Sequence, residues 1–325
     1  MTEATGDAIA GNRLEHFPIT FFAIVMGLLG LTLALRASAP VLGWTEAVAE
    51  VMVWVAVGVM VTIAAFYLAK LLRHPRAVIE EWQHPVRIAF FPTMTISLLL
   101  LATALRDTHP ALSEPLWIVG AAGQAVLTIA VVTGWISHRS FQVGHLTPAW
   151  FIPAVGNVIV PVAGARMGYI ELSWLFFAGG MMFWGVLLTL VMNRLVFHDP
   201  IPARLFPTMV ILIAPPSVAF VAYIAMVGAV DGFARSLIYI AYIFAALVVA
   251  QIPRLARIPF ALSWWALSFP LAALSIASFL FARLEGTAAH QAIGLGVLVI
   301  LILVVIGLVY RTVLATMRGE ICRPE

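Results

Sequence analysis

The chain has 325 residues, of which 63% are hydrophobic and only 10% are charged, and its mean hydropathy is +1.05. Soluble globular domains carry more charged residues, so this composition excludes that class. The net charge of +3 could indicate a nucleic-acid partner. Basic residues that anchor membrane helices explain the same charge, and we therefore expect no nucleic-acid binding.

Ten runs of 18 to 26 residues contain no Asp, Glu, Lys, Arg or His. A helix of about 20 apolar residues crosses a bilayer, so each run can form one span. The runs do not show the alternating segments of about ten residues that form membrane β-barrels. They are Phe17–Leu35, Val51–Ala69, Ile88–Leu105, Pro115–Ser137, Leu146–Ala165, Leu172–Asn193, Leu205–Val230, Ser236–Pro253, Ile258–Ala282 and Gln291–Tyr310.

The predicted fold class is therefore an all-α polytopic membrane protein with ten transmembrane helices. We expect residues 17–310 to form a single membrane domain, between a short N-terminal tail at residues 1–16 and a short C-terminal tail at residues 311–325. No small-residue cleavage site follows the first run, so we expect that run to be a retained span.

The basic residues are divided unequally between the two sides of the predicted bundle. With ten spans both termini share a side, and that side has 13 of the 18 Lys and Arg residues. The positive-inside rule therefore predicts cytoplasmic termini. The opposite side carries five arginines, which are Arg36, Arg106, Arg166, Arg235 and Arg283.

Prolines are concentrated in the odd-numbered runs, and the interiors of the even-numbered runs are nearly free of them. Proline interrupts helical hydrogen bonding, and irregular backbone at membrane depth is tolerated beside protein or a water-filled cavity. The pattern predicts five helical hairpins around a central pore, with kinked odd helices lining it. The alternative is that each proline is only a packing kink. The predicted kink and pore-lining prolines are Pro18, Pro92, Pro153, Pro161, Pro215 and Pro270.

Few polar side chains occur inside the runs, and none of them is acidic. Without an intramembrane carboxylate, passive conduction through a neutral pore is favoured over tight proton coupling. The uncharged candidates for the pore surface are Thr20, Thr95, Asn157, Ser217 and Ser268. The alternative for each is a hydrogen bond to another helix or to its own backbone.

The sequence contains no pattern typical of an enzyme or a cofactor protein. All eight histidines lie outside the runs, which excludes a bis-histidine haem within the bundle, and the single cysteine, Cys322, lies in the C-terminal tail. We therefore predict no catalytic residue, metal or cofactor. Tryptophans near the ends of runs, Trp117 among them, are predicted to lie in interfacial belts.

Three motifs resemble the tellurite-resistance/dicarboxylate transporter family, which includes bacterial TehA-like proteins and the plant guard-cell slow anion channel. The first is Phe17-Pro18-Ile19-Thr20-Phe21-Phe22 with Met26-Gly27-Leu28-Leu29-Gly30. The second is Ala149-Trp150-Phe151-Ile152-Pro153 with Gly156-Asn157, and the third and most specific is the segment Trp264–Pro270.

The resemblance implies a homotrimer in the bilayer, with a separate pore in each subunit and a phenylalanine in the ninth helix that closes that pore. By its place before Pro270, that phenylalanine is Phe269. The resemblance also implies a bacterial inner-membrane protein that conducts small anions such as chloride, nitrate or dicarboxylates. The alternatives are a secondary transporter of four-carbon dicarboxylates such as malate, or tellurite- or sulfite-linked efflux.

Overall fold

The computed structural model describes residues 13–137 and 141–322. Within these ranges, ten helical segments are long and apolar enough to cross a membrane, and we number them as spans 1 to 10. They are Ile19–Leu42, Thr45–Arg73, Arg87–Leu105, Pro110–Ser137, Pro148–Met167, Ile170–Phe197, Ala203–Val227, Gly232–Ala250, Leu262–Glu285 and Ala288–Met317. We call the face that carries residues 13–18 and 318–322 the terminal face, and the opposite one the distal face.

Backbone regularity alternates along the chain. Each even-numbered span is one continuous α-helix, whereas each odd-numbered span contains at least one 3₁₀ segment. Proline causes several of these breaks, because it has no N–H and its ring clashes with the carbonyl four residues before it. The 3₁₀ segments of the odd-numbered spans are Ile19–Phe21, Arg87–Phe90, Pro148–Trp150, Gly156–Ile159, Ala165–Met167, Ala203–Ile213 and Leu262–Leu267.

The odd-numbered spans form an inner ring. In the most apolar window of each, 67% to 89% of the residues are buried inside the protein, against 22% to 33% in the even-numbered spans. Span 1 contacts span 3, and the contacts continue through spans 5, 7 and 9 back to span 1. Each even-numbered span packs outside the odd-numbered span before it. The predicted all-α fold with ten spans is confirmed, and the spans form five hairpins.

Small residues let the first and last inner spans approach each other closely. A Cβ atom added to Gly27 of span 1 would lie 2.3 Å from the Ser268 Oγ of span 9. One added to Gly30 would lie 3.0 Å from the Cβ of Ala272. Glycine is therefore needed where these two spans close the ring, as in other tightly packed membrane helices.

Candidate functional site: two cavities that meet at Phe269

A cavity of about 1080 Å³ opens on the terminal face, and we call it the terminal cavity. Every inner span contributes to its surface. One lining residue from each, in chain order, is Thr20, Thr93, Ile152, Pro215 and Ala266. The cavity therefore lies inside the ring of odd-numbered spans.

A second cavity, of about 440 Å³, opens on the distal face, and we call it the distal cavity. It is also surrounded by all five inner spans. One lining residue from each, in chain order, is Leu33, Thr103, Val162, Val221 and Ala273. The inner ring thus encloses one cavity toward each of its two faces.

The two cavities approach each other at three side chains that line both of them: Ile159 of span 5, Val218 of span 7 and Phe269 of span 9. All three are apolar, and Phe269 is the largest. A Cβ atom added to Gly30 would lie 3.5 Å from Cδ2 of Phe269, so the aromatic ring reaches span 1. We call Ile159, Val218 and Phe269 the constriction.

The backbone of span 9 explains why the Phe269 side chain lies at the constriction. The span changes from a 3₁₀ helix to an α-helix at Ser268, two residues before Pro270. The Ser268 hydroxyl donates to the carbonyl of Trp265 at 2.6 Å, and the Trp265 indole donates to Thr312 of span 10 at 3.0 Å. These bonds hold the break in place and attach it to the outer ring.

The structure places only part of the predicted pore surface on the cavities. Thr20, Pro18, Pro215 and Pro270 line the terminal cavity. Pro92, Pro153 and Pro161 are buried between helices and do not line either cavity. Neighbouring residues of the same spans line the cavities in their place.

The other four predicted polar residues are buried, and none lines either cavity; each bonds to its own helix backbone, which is the alternative that the sequence left open. Thr95 donates to the Pro92 carbonyl at 2.9 Å, and Ser217 to that of Ile213 at 2.7 Å. The Asn157 amide donates to the Ala154 carbonyl at 2.8 Å, and Ser268 donates to that of Trp265. The physical reason is that these side chains satisfy carbonyl groups near breaks in the inner helices.

The charges that line the two cavities differ. The distal cavity has four arginines and one carboxylate, Asp107. The terminal cavity mixes both signs, with Lys70, Arg87 and Arg204 beside several glutamates and histidines. Sequence reasoning used the distal arginines only as topology markers. The missed signal is that four of the five odd-numbered runs are followed directly by an arginine on the distal side, namely Arg36, Arg106, Arg166 and Arg283.

A buried ion pair beside the terminal cavity was also missed. The Lys70 ammonium lies 2.9 Å from the Glu81 carboxylate, and their side chains are 4% and 2% exposed. Lys70 also donates to the carbonyl of Phe17, and Glu81 accepts from the N–H of Ile19. Glu81 belongs to the short helix Pro75–Gln83, so the pair ties that helix and span 2 to the start of span 1.

Comparison with known proteins identifies a family. The family model described as "SLAC1: Voltage-dependent anion channel" matches residues 16–313. The S-type anion channel SLAH3 of Arabidopsis thaliana is 28% identical over 308 residues, which are 93% of this chain and 48% of that protein. The chain spans about half the length of the plant relatives it matches most strongly.

Two prokaryotic relatives match over more of their own length. The uncharacterized transporter MJ0762 of Methanocaldococcus jannaschii is 24% identical over 97% of this chain and 99% of that protein. The tellurite resistance protein TehA homolog of Haemophilus influenzae is 26% identical over 81% of each. The family model covers most of the chain and reaches from span 1 into span 10, so the resemblance drawn from the three motifs is confirmed. The protein belongs to the SLAC1 family of voltage-dependent anion channels.

Proposed function

We propose that the protein is an anion transporter of the channel type, which conducts small inorganic or organic anions passively through the inner ring. We further propose that Phe269 closes this path. The observation that carries the proposal is that cavities from the two faces meet at Ile159, Val218 and Phe269. A continuous path would need only the displacement of apolar side chains at that level.

An apolar constriction is a barrier to ions because an ion must lose hydration water there and finds no polar group to replace it. The Phe269 ring makes no hydrogen bond, so its removal or rotation widens the path without leaving a polar group unsatisfied. Preference for anions follows from the positive potential of the arginines around the distal cavity.

The names of the relatives support anions as the transported class. Plant relatives are named S-type anion channels, and the Haemophilus influenzae relative is named for tellurite resistance. We propose chloride, nitrate and dicarboxylates as the anions to test. A coupled carrier for dicarboxylates would instead show saturable flux that depends on a second ion.

The lipid-facing outer spans support a multi-pass protein. Following the charge distribution, we propose that the terminal face is cytoplasmic and that the membrane is a bacterial inner membrane. We also propose a homotrimer, as the family resemblance implies. Each subunit would have its own path, because the inner ring of a single chain is closed without a partner.

The test is to record current across lipid bilayers that contain the purified protein under a chloride gradient. We compare the native protein with Phe269→Ala and with a matched control, Phe197→Ala, which removes the same ring from a lipid-facing position that is 75% exposed. We expect Phe269→Ala to raise conductance about tenfold or more, equivalent to lowering a barrier by about 1.4 kcal/mol. The current should reverse near the chloride equilibrium potential, and the control should match the native protein. Equal conductance in all three proteins would contradict the gate.

A further inference from the structure

Four inner spans bring one guanidinium group each to the distal cavity. Arg36, Arg106, Arg166 and Arg283 all line this space of about 440 Å³. Span 7 contributes only apolar side chains, among them Val218 and Val221. Positive charge is therefore concentrated around a single small cavity.

Two of these arginines have carboxylate partners. Arg36 hydrogen bonds to Glu50 at 2.7 Å, lies 3.5 Å from Glu46 and donates to the carbonyl of Ala104 in span 3. Arg106 binds both carboxylate oxygens of Asp107, at 2.8 Å and 2.6 Å. Their charges are compensated, and Arg36 also links neighbouring spans.

The other two arginines lack such partners. Within residues 13–137 and 141–322, no carboxylate lies within ion-pair distance of Arg166 or Arg283. Arg166 also lies within electrostatic range of Arg106 and Arg283, which have the same sign, and of Asp107, which has the opposite sign. Two guanidinium groups without a direct ion-pair partner thus line one cavity, where their mutual repulsion is relieved when an anion binds.

The pKa of Asp107 shows that the electrostatic potential at the rim of the distal cavity is positive. The pKa of its carboxyl is lowered from the ordinary value, first by hydrogen bonds from Arg106 and further by the charges of Arg106, Arg166 and Arg36. A negatively charged oxygen pair is thus stabilised at this rim. Guanidinium groups bind such planar or tetrahedral oxyanions through pairs of parallel hydrogen bonds, which a spherical halide cannot accept.

We propose that Arg166 and Arg283 form an oxyanion-binding site in the distal cavity, which takes an oxyanion with two negative charges in preference to chloride. The charge follows from the two guanidinium groups that have no direct ion-pair partner, and Arg106 with Asp107 forms the wall beside them. This site deepens the proposed function, on which it rests, because it would hold an anion on the distal side of the constriction.

The test is calorimetric titration of sulfate and of chloride into the full-length protein in a neutral detergent at low ionic strength. We expect sulfate to bind more tightly than chloride to the native protein. In Arg166→Gln/Arg283→Gln, sulfate affinity should fall by about tenfold or more, the effect of losing hydrogen bonds to a charged group. The control is Arg235→Gln, because Arg235 lies on the same face but pairs with Glu285 and does not line the cavity.

Equal sulfate affinity in the native and double-variant proteins would overturn the proposal, as would equal loss in the Arg235→Gln control. A second variant, Arg166→Lys/Arg283→Lys, keeps both charges and covers the case in which the glutamine variant does not fold. It should lose most of the preference for sulfate over chloride, and unchanged preference would overturn the assignment to paired guanidinium hydrogen bonds. Calorimetry measures binding without flux. A failed binding test would therefore not contradict the proposal that Phe269 closes the path, and sulfate binding can still be measured if the conductance test of Phe269 fails.

Discussion

The inner and outer spans have similar hydropathy but opposite surroundings. Their most apolar windows have mean hydropathies of 1.4 to 2.3 in the inner ring and 1.9 to 3.3 in the outer ring. Hydropathy separates them poorly because lipid tails are as apolar as a protein core. Backbone regularity separates them fully, since every inner span contains a 3₁₀ segment and every outer span is a continuous α-helix. In this fold, interrupted helices mark the spans that surround the cavities.

The largest effect on stability is expected where the two rings are tied together by Lys70 and Glu81. Lys70→Met leaves Glu81 buried without its counter-charge, so the free energy of unfolding should fall by about 3–5 kcal/mol. The matched control is Arg235→Met, which removes one partner of the more exposed pair with Glu285 and should change stability little. Denaturant or thermal unfolding in detergent measures both variants.

A double variant separates the ion pair from the packing around it. Lys70→Met/Glu81→Gln removes both charges and keeps an oxygen that can accept from the N–H of Ile19. It should recover part of the stability lost in Lys70→Met, because no unpaired charge stays buried. A double variant that is less stable than Lys70→Met would contradict this explanation.

A smaller effect is expected from adding one methyl group to a glycine in each ring. Gly27→Ala forces a Cβ atom against Ser268 and the Trp265 ring, and should destabilise the protein by about 1–3 kcal/mol. Gly58→Ala in outer span 2 meets nothing within 4 Å and should not destabilise the protein, because alanine favours a helix over glycine by about 0.5–1 kcal/mol. Thermal unfolding of the two variants tests the difference, and equal effects would mean that spans 1 and 9 are not closely packed.

The smallest effect is expected for a buried hydroxyl group. Thr95 bonds to Gln124 of span 4 at 2.7 Å as well as to the Pro92 carbonyl, so Thr95→Val should cost about 1 kcal/mol. Thr62→Val in outer span 2 removes an exposed bond to the Gly58 carbonyl and serves as control, with almost no change. Anion current should be unaffected in both variants. A changed anion selectivity in Thr95→Val would mean that the Thr95 side chain lines the conduction path.

Proline positions were enough to predict the two rings from the sequence. The prolines of the odd-numbered runs break helices that would otherwise be continuous, and local covalent geometry determines those breaks. The segment before Pro270 directed attention to Phe269, which the structure places where the cavities meet. The first prediction depends on short-range features, which a sequence shows directly, whereas the second came from the resemblance to a known family.

Some features were missed because a partner distant in sequence decides where a polar group lies. Trp117, predicted to be interfacial, is 1% exposed and donates to the carbonyl of Val160 in broken span 5, so its prediction was wrong. Thr95 bonds to Gln124 in the next span. Lys70 and Glu81 lie outside the ten predicted runs, and their contacts with the start of span 1 are seen only in the structure. Which inner spans are neighbours, and which arginines therefore converge, also required the structure.

We propose that Phe269 separates the two cavities that the inner ring encloses. Span 1 allows a direct test, because Ala23 lines the terminal cavity and Ala37 the distal cavity. Each is replaced by cysteine in a Cys322→Ser background, since Cys322 also lines the terminal cavity. A negatively charged, membrane-impermeant thiol reagent is then applied to right-side-out and to inverted membrane vesicles.

We expect Ala23→Cys to react from the terminal face only and Ala37→Cys from the distal face only. With Phe269→Ala added, each should also react from the other face. Reaction of both cysteines from the same face, or an unchanged pattern after removal of the ring, would contradict a path that Phe269 closes.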